Sequence, residues 1–186
     1  MFKHILVAVD GSATANRGLS TAIELAADQR ATLHVLHVVD DLAAMPAVNE
    51  GFIPADYIEG MIESLREGGR QVVAKAKALA GARGIEVKTL LVESRGRSVA
   101  ETILAQARRQ KADLIVLGTH GRRGLRRVLL GSDAENVLRD ARIPVLLVRG
   151  TERAKRPAAR NAKASKSARA AKQPEKRTPA LRLPIA

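Results

Sequence analysis

Four glycines and four arginines fall within residues 118–132, GTHGRRGLRRVLLGS, directly after the apolar run Leu114 to Leu117. Glycine lets backbone N–H groups turn toward a ligand and lets the chain approach an anion closely. Gly118, Gly121 and Gly131 are spaced to do so, with Thr119 between the first two. The stretch then delivers the chain into a helix starting at Ser132, and the unpaired N–H groups and positive dipole end of such a helix favour phosphate. Ser132 adds a hydroxyl, and Arg122 and Arg127 can pair with outer phosphate oxygens. A second reading stays open beside this one. Ser132 followed by Glu135 has the spacing of a capping box, which needs no ligand. On that reading Gly131 only admits the chain to the helix, and the arginines are a solvated face.

Other chemistries find little support. The 186-residue chain has no cysteine, which excludes disulfides, thiolate metal sites and a cysteine nucleophile. His4, His34, His37 and His120 show no metal-ligand spacing. His34 and His37 share one strand-like run at odd separation, hence on opposite faces, and structural roles are expected for both. Neither the P-loop pattern nor G-x-G-x-x-G after the first strand occurs, and G-x-S-x-G is absent. A phospho-accepting receiver domain would want an Asp at the end of the third strand, where this chain has Val92-Glu93. No general base stands near the glycine loop, so binding is expected rather than turnover, with slow catalysis at most.

The loop needs a scaffold, and the hydrophobic pattern describes one. Ile5 to Val9 reads as a first strand followed by the turn Asp10-Gly11-Ser12. Leu19, Ala22, Ile23 and Ala26 form one face of a helix. Leu33 to Val39 is a second strand, and residues 40–54 read as a loop. Ile58, Ile62, Leu65, Gly69, Val72, Ala76 and Leu79 mark a long amphipathic helix ended by Gly81 and Gly84. Val87 to Val92 is the third strand, and Ala100, Ile103, Leu104 and Ala107 mark a helix opened by the capping box Ser98–Glu101. Leu114 to Leu117 is the fourth strand. Ala134, Val137, Leu138 and Ala141 mark the last helix, and Val145 to Val148 the last strand. Strands alternating with helices imply an α/β fold, a parallel sheet with helices on both faces and strands buried on both sides. Ligands of such sheets sit beyond the carboxyl ends of the strands, where strand order reverses. That places Asp10, Val38 and the glycine loop at one end of the molecule.

Composition bounds the rest. Aliphatic residues must make the core, because aromatics are only 2% of a chain that is 46% hydrophobic. No apolar run approaches the roughly 18–20 residues of a membrane span. Nor does MFKHILVAVD resemble a signal peptide, so a cytoplasmic protein is expected. The net charge of +13 is uneven: residues 151–186 carry 11 Lys+Arg against 2 Asp+Glu, a net of +9. Four of the seven prolines lie there, with almost no large apolar residue before Leu181. Such a segment cannot bury enough surface to offset its ordering entropy, so residues 150–186 are expected to be a disordered basic tail. Weak, salt-sensitive nucleic-acid binding is one use for it; a plain solubilising extension is the other.

The same residues carry a resemblance. Gly118-x-x-Gly121, nine residues, then Gly131-Ser132 resembles the G-2x-G-9x-G-[ST] signature of the ATP-binding universal stress proteins. Ile5 to Ser12, Leu36 to Asp40 and Ile143 to Arg149 are similar to the family's first, second and last strands, so the resemblance covers residues 1–149. It implies a doubly wound five-stranded parallel sheet of the adenine nucleotide alpha hydrolase-like type, order 3-2-1-4-5. It implies an ATP site, with or without Mg²⁺. Asp10 and the Val38 backbone would hold adenine and ribose; Gly118, Thr119, Gly121, Arg122, Gly131 and Ser132 would cradle the phosphates. It also implies a stress-response protein acting as a homodimer joined through Val145 to Val148. An apolar edge strand of that kind is a hazard unless paired or covered.

Overall fold

Short apolar runs punctuated by capped helices fold as the pattern requires. The computed structural model describes residues 1–41, 54–119 and 130–149. Its elements alternate along the chain: β1 (His4–Ala8), α1 (Ala13–Gln29), β2 (Thr32–Val39), α2 (Ala55–Gly81), β3 (Val87–Glu93), α3 (Val99–Arg109), β4 (Leu114–Gly118), α4 (Ser132–Asp140) and β5 (Val145–Val148). The strands form one parallel sheet in the order β3-β2-β1-β4-β5. Sequence-neighbouring strands are joined by helical crossovers, and the order reverses between β1 and β4.

The two faces of the sheet build two aliphatic cores. Ile5, Val7, Leu33, Val35 and Val116 pack with Leu19, Ala22 and Ala26 of α1 and Ala76 and Ala80 of α2. Leu6, Leu36, Ile115 and Leu117, one residue out of phase, pack with Ile103 and Ala107 of α3 and Val137 of α4. Central β1 from Ile5 to Ala8 and β4 are apolar because both faces are covered. The edges differ from the sequence expectation. In β3, Lys88 and Thr89 are exposed, and all four residues of β5 are half-buried.

Caps set where helices begin. The Ser98 hydroxyl accepts from the Glu101 N–H at 3.2 Å while the Glu101 carboxylate accepts from the Ser98 N–H at 2.9 Å, the expected capping box. At α4 the expected box is not formed. Gly131 is the N-cap, with the Glu135 N–H donating to its carbonyl at 2.9 Å, so Ser132 is already the first helical residue. Its hydroxyl therefore lies one position too far along to cap, and glycine, a tolerated N-cap, fills the place. Two apolar positions also fall on the wrong side. Leu79 of α2 is 57% exposed and Leu138 of α4 is 48% exposed. In α2 the buried contacts run through Ala76 and Ala80, four apart, and small side chains there bring the helix down onto the sheet.

Candidate functional site

The carboxyl ends of β1, β2 and β4 and the start of α4 lie at the end of the sheet where strand order reverses. At the end of β1, Asp10 Oδ1 accepts the Ser12 N–H at 2.9 Å. Between them Gly11 takes φ +83, a conformation that side chains disfavour. Ser12 then caps α1, its hydroxyl accepting the Ala15 N–H at 3.1 Å. One Asp10 oxygen thus builds the turn, the structural role open to an Asp at a strand-to-helix junction.

Across the switch point, β4 presses against the N-terminus of α1. A Cβ on Gly118 would lie 2.7 Å from the Thr14 carbonyl carbon and 2.8 Å from the Ala15 nitrogen. Gly118 is therefore required by helix packing, a reason the sequence pattern did not reveal. Thr119, buried, continues the contact with β5 by donating its N–H to the Val148 carbonyl at 3.0 Å. Its own carbonyl accepts the Gly131 N–H at 2.9 Å. One backbone bond thus brings together the two ends of the connection between β4 and α4. Residues 120–129 form the interior of that connection, and Gly121, Arg122 and Arg127 lie outside the described residues.

The pinch decides which amides can face an anion. The Gly131 N–H and the Thr119 N–H are both spent on backbone carbonyls. Gly131, the N-cap of α4, makes no side-chain hydrogen bond to the first turn that Ser132 opens. Ser132 and Asp133 are exposed there, and Glu135 pairs with Arg139 at 3.0 Å. Gly131 is thus the residue at which the connection closes on Thr119.

Between β2 and β3 the same end of the sheet is tied by side-chain bonds. Buried Ser94 donates its hydroxyl to Asp41 and accepts the Asp41 N–H at 3.2 Å. Arg66 of α2 bonds Glu93 at 2.8 Å and Glu63 at 3.0 Å. The Arg66 and Arg70 guanidinium groups hold the Glu63 carboxyl below the usual carboxylate range. His34 and His37 do lie on opposite faces of β2. His34 packs its ring 5.7 Å from that of His4, and His37 reaches the Val9 carbonyl at 2.7 Å.

A doubly wound parallel sheet whose order reverses between β1 and β4, with a pinched loop opening a helix beside that point, is an architecture shared with nucleotide-binding α/β proteins. Residues 1–149 match the model of the universal stress protein family. The chain belongs to that family. A universal stress protein of Methanocaldococcus jannaschii is 36% identical over 150 residues, covering 80% of this chain and 83% of that one. Among solved structures, a universal stress family protein from Burkholderia pseudomallei is 40% identical, covers 78% of this chain and 95% of its own, and superposes with a TM-score of 0.63. The universal stress protein from Archaeoglobus fulgidus, solved in complex with dAMP, is 26% identical over 78% of this chain and 97% of that one, with a TM-score of 0.54.

Proposed function

We propose that this chain binds ATP at the β1–β4 crevice and acts in the stress response as a nucleotide-dependent interaction protein. The observation that carries the reading is the pinch: Thr119 and Gly131 hold the ends of the glycine loop together beside the N-terminus of α4. The dAMP complex of the Archaeoglobus relative supports an adenine nucleotide as the ligand. Asp10 and the Val38 backbone would take adenine and ribose. Gly118, Thr119, Gly121, Arg122, Gly131 and Ser132 would surround the phosphates. Mg²⁺ would arrive on the phosphates themselves, since among the described residues no group of three His, Asp or Glu side chains is placed to hold a metal. A homodimer through β5 follows from its half-buried apolar residues at the sheet edge.

The test is the nucleotide released on denaturing undialysed protein, identified by mass spectrometry. Gly131→Val is the control. The Gly131 backbone, φ −61 and ψ 144, accepts a branched residue, so the added side chain acts by crowding the loop. ATP or ADP near one per chain, lost in the variant, is the expected result. A folded dimer that fails to bind millimolar ATP with Mg²⁺ refutes the reading and leaves a plain interaction module. The tail of residues 150–186 lies outside the described residues. Its net +9 over residues 151–186 supports weak nucleic-acid binding as a second reading. Removing the tail would abolish any salt-dependent DNA retardation.

A further inference from the structure

Beyond Ala8 the β1–β2 ladder stops, although both chains run on. The register ends at Ala8 against Leu36. One further bond follows, from the Val9 N–H to the Leu36 carbonyl at 2.8 Å. In a parallel ladder the residue that donates this way also accepts, through its own carbonyl, from two residues further along the partner. For Val9 that donor is the Val38 N–H. The backbone of Val38 does face β1: Leu33 and Val39 bond toward β3, so the even positions of β2 bond toward β1. Yet the Val9 carbonyl accepts the His37 Nδ1–H at 2.7 Å, and the backbone bond from Val38 is not among those the described residues make.

The His37 ring is fixed in that position from the other side. His37 is 5% exposed, and α2 crosses it at Gly69. A Cβ on Gly69 would lie 2.7 Å from His37 Cδ2 and 2.6 Å from Leu91 Cδ1. The helix can close on the ring only because residue 69 has no side chain. A carbonyl can only accept, so the proton is on Nδ1.

We infer that His37 is a positioning residue for nucleotide binding. Its imidazole takes the place of a ladder bond at the Val9 carbonyl, holds the ends of β1 and β2 apart, and so turns the Val38 peptide and the Asp10 turn toward the base and ribose. This rests on the ATP reading above. The part it adds is that adenine recognition depends on a side chain that need not touch the nucleotide. It also gives Gly69 a reason, since any larger residue would drive the ring off the carbonyl.

The experiment uses the full chain with His37→Phe and His37→Asn. Phenylalanine fills the space without a donor. Asparagine places an N–H at the position of Nδ1. ATP affinity is measured by calorimetry, and the His37 tautomer by long-range ¹H–¹⁵N correlation in the wild-type protein. The expected result is an Nδ1–H tautomer, ATP binding about tenfold weaker in His37→Phe, as for loss of one well-placed hydrogen bond, and recovery to within about threefold in His37→Asn. Wild-type binding with an Nε2–H tautomer, with His37→Phe unaffected, or with His37→Asn as weak as His37→Phe overturns the inference and leaves the ATP reading standing. A wild-type chain that binds no ATP overturns both.

Discussion

Two glycines face each other across the contact between α1 and β4, and alanine should act oppositely at the two. At Gly118 the new methyl would sit 2.7 Å from the Thr14 carbonyl carbon, 2.8 Å from the Ala15 nitrogen and 3.0 Å from the Thr14 oxygen. All three are backbone atoms in the first turn of a capped helix, so none can swing aside as a side-chain tip could. Relief requires α1 to move away from β4, with Leu19 and Ala22 behind it. Overpacking of this kind costs about 1–3 kcal/mol. The rigid neighbours favour the upper half of that range, so we take roughly 2 kcal/mol, or a Tm fall of ~4–8 °C for a domain of this size. At Gly18, on the facing turn, the nearest atoms to a new methyl are Gly118 N at 3.5 Å and Leu117 C at 3.6 Å, ordinary contacts. Gly18→Ala should be neutral or stabilising by up to about 1 kcal/mol, the helix-interior advantage of alanine. Urea unfolding followed by circular dichroism, with thermal melts beside it, reads both. A Gly118→Ala protein melting within 1 °C of wild type would refute the packing argument. Equal losses at both positions would refute the distinction between them.

Two further outcomes follow from particular side chains. His34 is 3% exposed, its ring nitrogens make no hydrogen bond among the described residues, and burial, then His4 and Lys88, lower its pKa while Glu86 opposes them. The fold therefore favours the neutral ring, and the unfolded chain binds the extra proton. Stability from this source is full above the unfolded pKa near 6.5 and falls as pH drops through it. His34→Leu should flatten the loss of urea midpoint between pH 7.5 and pH 5.5; an unchanged slope would place the acid sensitivity elsewhere. Ser98→Ala removes the capping box of α3 and should cost about 1 kcal/mol in the same urea assay, whereas Ser132→Ala, beyond the cap position, should cost little.

The sequence by itself determined the five strands, the four helices and the end of the sheet where the candidate site is placed. Those follow from local periodicity: apolar runs of strand length, helical spacing in Leu19–Ala26 and Ala100–Ala107, and turn residues at Asp10-Gly11-Ser12. The glycine signature also located the junction between β4 and α4, with the strand running one residue further, to Gly118. Tertiary contact decided what each residue there is for. Gly118 is glycine because Thr14 and Ala15 of α1 approach it from far away in sequence. Gly131, not Ser132, caps α4, because the Thr119 carbonyl takes the Gly131 N–H and fixes where the helix begins. Leu79 and Leu138 fit a helical stripe but face outward, since a stripe says which residues share a face and the neighbouring element says where that face ends. His37 looked like a core histidine from its spacing. Its bond to the Val9 carbonyl joins β2 to the end of β1, and a contact between two strands is a property of the pair that neither strand's sequence records.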